Sequence, residues 1–326
     1  MNDGPLVGIL HNGTDWACQE FVDAFGRKGI DAGLFSVANI EVPDDALADP
    51  EYPKIPHMQD FVDQGYTSWM VRVYPSDADL KNIQRTLQLI QWLTIKRHFT
   101  VNPITASSAD YDKLASYKLL ATNGVQTPKT LDVPTDLDVA LVAAERLGFP
   151  AILKRRTGGK GHGVVRLKSR DHAAEEIRAM LNGDNDYAGQ YVLQEFCGPA
   201  EGIDYDVRIG VIGDTPCISY KRTLVAPAGD SDRWMACCAK GSDILPYDHP
   251  KPEEQQIAVD ATKAINALVN ECDITITERG PVVIECNPTP GYDPGEERWI
   301  KLIVDKFITA AQDSHIEQYH QGSLLH

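Results

Sequence analysis

Basic residues and long apolar runs are both scarce in this sequence. Its 326 residues include 31 Lys and Arg against 47 Asp and Glu, a formal charge of −16. A field of that sign repels phosphate backbones and anionic lipid, so neither a nucleic-acid nor a membrane partner is expected. No stretch approaches the roughly 20 apolar residues that span a bilayer. Residues 1–10 carry no basic segment and only one short apolar run, 6–10, so the chain is expected to be neither exported nor anchored. The seven cysteines, at 18, 197, 217, 237, 238, 272 and 286, are odd in number and form no Cys-x-x-Cys pair. That pattern argues against a disulfide framework and for reduced thiols in a cytoplasm. Internal repeats and low-complexity tracts are also missing.

What is present is ordinary globular sequence, 43% hydrophobic and 24% charged, long enough for one large core or a few smaller ones. Residues 6–10 read as a buried strand. Thr14 and Asp15 then offer helix caps, and Ala17, Phe21 and Phe25 fall at a spacing of four on one helical face. Pro43, Pro50, Pro53, Pro56 and several acids predict a loop excursion over 41–60, with a return strand at 69–73. Leu80, Ile83, Leu87 and Ile90 mark a helix between Asp77 and Lys96. Up to about residue 105 this is a small open α/β layer. A second unit starts near Ser107. Its predicted helices are 113–123, 136–147, 171–181 and 253–271, and its predicted strands are 151–154, 164–167, 191–196, 207–212 and 218–224. A final hairpin pairs 274–277 with 282–285 around 278–281, and the polar tail after Gln312 is expected to fray at its end.

Three constellations carry chemistry. In residues 154–163 a basic strand, Lys154-Arg155-Arg156, runs into Gly158, Gly159, Lys160, Gly161, His162 and Gly163. Backbone N–H groups of such a loop can converge on phosphate oxygens because no Cβ intervenes, with Lys154 or Lys160 supplying charge. Neither G-x-x-x-x-G-K-[ST] nor a strand-to-helix G-x-G-x-x-G is present, and by itself the loop reads equally as a structural turn. The second constellation is Asp273, Glu285 and Asn287, hard oxygen donors at facing ends of the hairpin. Glu285 and Asn287, two apart on a strand, share a face. This inventory suits a nucleotide-bound Mg²⁺, while the plainer alternative is acids ending strands of an acidic protein. The third is Asp206 and Arg208 on one strand face with Arg222 on the neighbouring strand, which could stabilise developing charge or form a surface ion pair. No convincing Ser-His-Asp or Cys-His set accompanies them.

Taken in order, these motifs resemble those of the ATP-grasp enzymes, and within them the RimK-like carboxylate–amine ligases, over roughly residues 70–312. Val101-Asn102-Pro103, Tyr111-Asp112-Lys113-Leu114, Lys118-Leu119-Leu120-Ala121 and the stretch 124–130 are similar to the family's opening segment. Residues 150–154 look like its phosphate-lysine strand, 158–165 its mobile glycine loop, and Gln194-Glu195-Phe196 its adenine-reading hinge. Asp206-Val207-Arg208 and Glu285-Cys286-Asn287 complete the order. The resemblance implies an α/β and α+β architecture. An N-terminal open α/β (pre-ATP-grasp) domain on the substrate side would occupy 1–106. A two-lobed ATP-grasp domain would follow at 107–312, with its lid at about 125–190, and then a tail at 313–326.

It also implies ATP and Mg²⁺ as cofactors, with Mn²⁺ as an alternative. Lys113, Lys154, Gly158, Lys160, Gly161, His162 and Gly163 would meet ATP, Gln194 and Glu195 would lie near adenine and ribose, and Asp206 near the sugar or phosphates. Asp273, Glu285 and Asn287 would hold metal, and Arg208 and Arg222 would steady an acyl phosphate and a tetrahedral intermediate. The implied reaction joins a small-molecule carboxylate to an amine, an amino acid or small peptide, in a soluble cytoplasmic enzyme whose oligomeric state is open. Arg72, Arg233 and Lys240 are candidate substrate contacts, with a surface ion pair as the alternative for Arg72. Other readings on the same fold are a glutathione-synthetase or D-alanine–D-alanine type of peptide ligase, a small-molecule kinase and a non-catalytic ATP-binding protein.

Two stretches depart from the family pattern. Met235 stands where an asparagine is expected after Arg233, and Pro288-Thr289-Pro290-Gly291 replaces the usual small residue before Pro-Gly. Both adjoin the acceptor pocket, so the substrate of the ribosomal-protein glutamate ligases does not transfer. Cys237 and Cys238 read as buried small hydrophobes rather than a redox pair, His162 as a phosphate contact or a solvent-facing loop side chain. His315 and His320, five apart, have the wrong helical spacing to share a metal.

Overall fold

The computed structural model describes residues 6–49, 54–75, 80–182, 190–227 and 230–323, with side chains to 314. Pro50, Pro53, Asp77, the side chains of His315 and His320 and the last three residues of the tail lie outside these. The first sheet is all parallel, in the order β2 (Asp31–Ser36), β1 (Leu6–His11), β3 (Tyr66–Arg72), β4 (Phe99–Val101). Parallel strands covered on both faces are near-continuously apolar, and β1, Leu-Val-Gly-Ile-Leu-His, fits that rule. Helix α1 (Trp16–Gly26), capped by the Asp15 carboxylate, which accepts from the Cys18 N–H at 2.7 Å, covers one face. Helix α3 (Leu80–Ile95) covers the other. Three helices were not expected: α2 (Pro56–Asp63), which starts inside the anticipated loop with proline in its first turn, α4 (Ile104–Tyr111) and α9 (Glu297–Ser323). Strand β2 also escaped the sequence reading, because Gly33 and an exposed start break its apolar pattern.

The remaining two sheets are antiparallel. One has the order β5 (Thr130–Asp132), β8 (Tyr191–Glu195), β6 (Ala151–Arg155), β7 (Val165–Leu167), and packs against α6 (Leu137–Leu147) and α7 (Arg170–Asn182) through Leu141, Ala144, Leu153 and Ile177. The other has the order β11 (Ile244–Pro246), β10 (Thr215–Thr223), β9 (Tyr205–Ile212), β12 (Val269–Thr277), β13 (Gly280–Asn287). Its outer face is covered by α5 (Lys113–Thr122) and α8 (Pro252–Ala264). Helix α9 (Glu297–Ser323) returns to the first sheet, where Phe307 meets Phe25 and Phe99 edge-on. It runs on past residue 312, into the expected tail.

The predicted helix 253–271 is two elements. Helix α8 stops at Ala264, Asn266 takes a left-handed φ of 57°, and β12 begins at Val269. Periodicity hid this strand because polar residues follow Val269 in its interior: the Asn270 amide nitrogen donates to the Thr262 hydroxyl at 3.1 Å, and Glu271 pairs with Arg208. Asn102, just after β4, joins the first sheet to the last. Its amide donates to the carbonyls of Val269 (2.9 Å) and Pro288 (2.7 Å), and its oxygen accepts from the Leu268 and Val269 N–H groups at 2.9 and 3.2 Å. Among the described residues no helix is long and apolar enough to cross a membrane.

Within β1, Gly8 lies beneath Trp69, and a Cβ there would fall 2.3 Å from the fully buried indole. Gly8→Ala is expected to lower stability by about 1–3 kcal/mol through overpacking, read as a lower urea midpoint with an unchanged denaturant slope.

Candidate active site

The cross-strand register of the five-stranded sheet sets charged side chains side by side. Arg208 on β9 is opposite Asp273 on β12, which is opposite Glu285 on β13, and Arg222 on β10 is opposite Asp206 on β9. A bulge in the β12–β13 pairing after Asp273 changes the register from Asp273↔Glu285 to Ile274↔Val283. Arg208 donates from Nε to Asp273 Oδ1 at 2.5 Å and from Nη2 to Oδ2 at 2.9 Å, and its Nη1 is 3.3 Å from Glu271. Arg222 donates from Nε to Asp206 Oδ1 at 2.9 Å, while its Nη2 meets Asp206 Oδ2 and lies 2.8 Å from Asp273 Oδ2. Burial works to raise the Asp273 pKa, but the two guanidinium groups outweigh it and hold the carboxyl below the ordinary range. Glu271, buried with a weaker share of Arg208, is pushed up to about 6.

Above this floor stands the four-stranded sheet, and between them opens a cleft of about 690 Å³. Lys154, on β6 and only 6% exposed, donates to the Tyr117 hydroxyl at 2.7 Å. Tyr117 in turn donates to the Ile284 carbonyl of β13. Burial pushes Lys154 down to about 8, against the pull of Glu285 and Asp273. Lys113, at the start of α5 behind the Asp112 cap, reaches Glu285 at 3.0 Å and also donates to the carbonyl of Gly158. Gly158, Lys160, Gly161 and Gly163 all have positive φ, and the His162 N–H donates back to the Gly159 carbonyl at 3.2 Å. At Gly161 a Cβ would also fall 3.1 Å from Cys237 Sγ. At the hinge, Glu195 N–H donates to Lys129 O at 2.8 Å, its carboxylate pairs with Arg279 at 2.9 Å, and the Gln194 amide donates to Thr130 Oγ1 at 2.8 Å.

Most of the residues expected at a site meet here. Lys113, Lys154, Gly158, Lys160, Gly161, His162, Gln194, Glu195, Asp206, Arg208, Arg222, Asp273, Glu285 and Asn287 all line the cleft. Gly163 lies just outside the lining, against Arg155. Arg233 and Lys240 are exposed and absent from the lining, so the structure does not bring the two expected substrate contacts to the site. Arg72 is neither at the surface nor on the cleft wall. It is 3% exposed, donates to the Pro290 carbonyl at 2.7 Å and to Tyr74, and sits among the rings of Phe21, Tyr74 and Tyr292. Its Nε is buried behind the wall without a hydrogen-bond partner. Of the vicinal cysteines, Cys237 is buried as a small apolar residue whereas Cys238 is exposed.

Sequence reasoning missed Tyr117, Glu271 and Asp110. Tyr117 sat unremarked on a predicted helix, Glu271 was placed in the helix that turned out to end earlier, and Asp110 has no local signal. Asp110 lies on the cleft wall, hydrogen-bonded to Thr289, and burial pushes it up to about 7.

The donor set suits a hard divalent cation. Asp273, Glu285 and Asn287 offer only oxygen, and the Asn287 amide nitrogen donates to Glu271 O at 3.1 Å, which leaves the amide oxygen as the donor atom. Among the described residues no group of three or more His, Cys, Asp and Glu is gathered to hold a metal. Glu285 and the Asn287 oxygen are the open donors and Asp273 is shared with Arg208 and Arg222; this oxygen set fits Mg²⁺, which takes its remaining ligands from water and phosphate.

Comparison with known proteins places the fold among the ATP-grasp structures. The RimK domain ATP-grasp protein of Sphaerobacter thermophilus superposes with a TM-score of 0.65 at 19% identity, over 92% of this chain and 98% of that one. The D-alanine–D-alanine ligase of Bacillus anthracis superposes with a TM-score of 0.64 at 14% identity, over 97% and 100%. The pattern of the RimK-like ATP-grasp domain matches residues 110–311, and the chain belongs to that family. A probable alpha-L-glutamate ligase of Xanthomonas campestris pv. campestris (strain B100) is 32% identical over 198 residues, 60% of this chain and 63% of the relative. One of Stenotrophomonas maltophilia (strain K279a) is 35% identical over 202 residues, 60% and 62%. The matches thus span less than two thirds of these relatives' length.

The Lys154 shift has a sign that can be checked. Below about pH 8 the ammonium is charged, and above it the charge is lost, so a phosphate ligand loses its counter-ion as pH rises. ATP affinity by calorimetry is expected to fall as pH rises above 8 in the native protein and to show no such fall in Lys154→Met, whose melting temperature holds or rises because a buried charge is gone.

Proposed function

We propose that the protein is an ATP- and Mg²⁺-dependent carboxylate–amine ligase that works through an acyl phosphate on an amino acid or small peptide. The observation that carries this reading is the juxtaposition, across one cleft, of Lys113, Lys154 and the glycine loop with Asp273, Glu285, Arg208 and Arg222. In this reading the sheet β5-β8-β6-β7, within about 125–190 and its hinge, is the lid. Residues 1–106 form the substrate side, and α9 continues as far as Ser323 within the tail 313–326.

In the first step a substrate carboxylate oxygen attacks the γ-phosphorus of ATP. The new O–P bond forms as the bond to the β-phosphate bridge oxygen breaks, and ADP leaves. In the second step the lone pair of an uncharged amine attacks the acyl carbon. The C–N bond forms, the C–O bond to phosphate breaks, and the nitrogen's proton passes to the departing phosphate. Lys113 and Lys154 hold the phosphates, and the loop N–H groups close over them. Arg208 and Arg222 are already locked by acids on their far sides, so they meet charge developing on the acyl phosphate without reorganising. Mg²⁺ held by Asp273, Glu285 and Asn287 would supply charge neutralisation on the phosphates. No side-chain nucleophile is needed, since phosphorylation alone gives the carboxylate a good leaving group.

The test supplies ATP and Mg²⁺ with a library of amino acids and dipeptides, and follows phosphate, ADP and product mass. A ligase releases phosphate only with both a carboxylate and an amine present and yields a product equal to their sum minus water. A product heavier by a phosphoryl group, with no free phosphate, would replace this reading by a kinase. Glu285→Ala is expected to lose turnover by at least about a hundredfold with an unchanged melting temperature; an undiminished rate would count against the assignment.

A further inference from the structure

Lys113 and Tyr117 stand four apart on α5 and so share one face of the helix. Both reach β13, at consecutive residues: Lys113 pairs with Glu285 at 3.0 Å, and the Tyr117 hydroxyl donates to the carbonyl of Ile284. The bulge explains why that carbonyl is there to be taken. Asp273 is opposite Glu285 and Ile274 opposite Val283, so Ile284 has no partner across β12, and the extra residue of a bulge leaves the ladder locally unpaired. The ring of Tyr117, 4% exposed, is set in the core with Leu120, Val283 and Cys286, which leaves its hydroxyl little freedom to turn elsewhere.

A phenol has a single proton. With that proton given to Ile284, the Tyr117 oxygen presents only lone pairs to Lys154, which donates to it at 2.7 Å and holds its Nζ 4.9 Å from the ring centroid. Lysine carries its charge on a flexible stem, with three N–H donors that turn together. One donor fixed on Tyr117 gives the other two a set aim, and Lys154 lines the cleft. The chain from bulge carbonyl through phenol to ammonium thus ties β6 of the upper sheet to β13 of the floor. Phenylalanine at 117 would keep the ring and cut both hydrogen bonds.

The geometry points to Tyr117 as a positioning residue that acts through Lys154, setting the aim of its ammonium on the phosphates of the bound nucleotide. The inference rests on the nucleotide reading of the cleft. Its test is calorimetry of a non-hydrolysable ATP analogue with Mg²⁺, and of adenosine, on the native protein, Tyr117→Phe, Lys154→Met and the double variant. Tyr117→Phe is expected to bind the analogue about tenfold more weakly with adenosine affinity unchanged. In the Lys154→Met background the same substitution is expected to change analogue binding by less than about twofold. A tyrosine that only packs the core would weaken adenosine together with the analogue, and would do so whether or not Lys154 is present; either result overturns the proposal. So does a Tyr117→Phe protein that binds the analogue as tightly as the native one or more tightly, since the hydroxyl would then only compete with phosphate for the ammonium. A native protein that binds the analogue no more tightly than adenosine would instead overturn the nucleotide reading, and this proposal with it.

Discussion

Asp273 is the constraint around which the site is arranged. Both of its oxygens are taken by guanidinium groups from two different strands, and its neighbour across β13 is Glu285. A buried ion cluster of this kind is weak evidence for stability, because desolvation offsets most of the attraction. What it provides is orientation. Arg208 and Arg222 are each fixed from below, so their remaining surfaces point at the cleft in one geometry. The β9–β12 register and the bulge after Asp273 are thus requirements of the ion cluster rather than accidents of pairing.

The same floor explains the behaviour of the lysines opposite. Lys154 is held in a buried position that disfavours its own charge, and what keeps it charged near neutral pH is the field of Glu285 and Asp273. Lys113 draws on the same Glu285. Positive and negative groups of the two lobes thus sustain one another across the cleft.

The parts of this arrangement that are local in sequence were legible in it. The glycine loop, the final hairpin and the Asp206–Arg208 strand each announce themselves by spacing. Lys113 has no such signal, since it meets Glu285 from 172 residues away, and only its resemblance to a family motif marked it. Glu271 was hidden because polar residues that are satisfied inside a sheet break the apolar alternation that betrays a strand. Arg72 shows the converse limit: an arginine at a strand end near a cleft reads as a ligand contact or a surface charge, and burial among three rings is a tertiary fact. Arg233 and Lys240 were suggested by position in a motif that here departs from its pattern, and they point to solvent.

The four hydrogen bonds of Asn102 bear on how the chain can be divided. They cap backbone groups of β12 and of the segment after β13 from a residue that belongs, in sequence, to the opening unit. Helix α9 makes the reciprocal crossing, leaving the last sheet to pack on α1 and β4. A cut near residue 106 would therefore strip partners from both fragments at once. The two halves are not interchangeable modules: exchanging the opening unit for that of a relative would also require a compatible C-terminal helix and an amide at the junction, so the two units are bound to evolve as a pair.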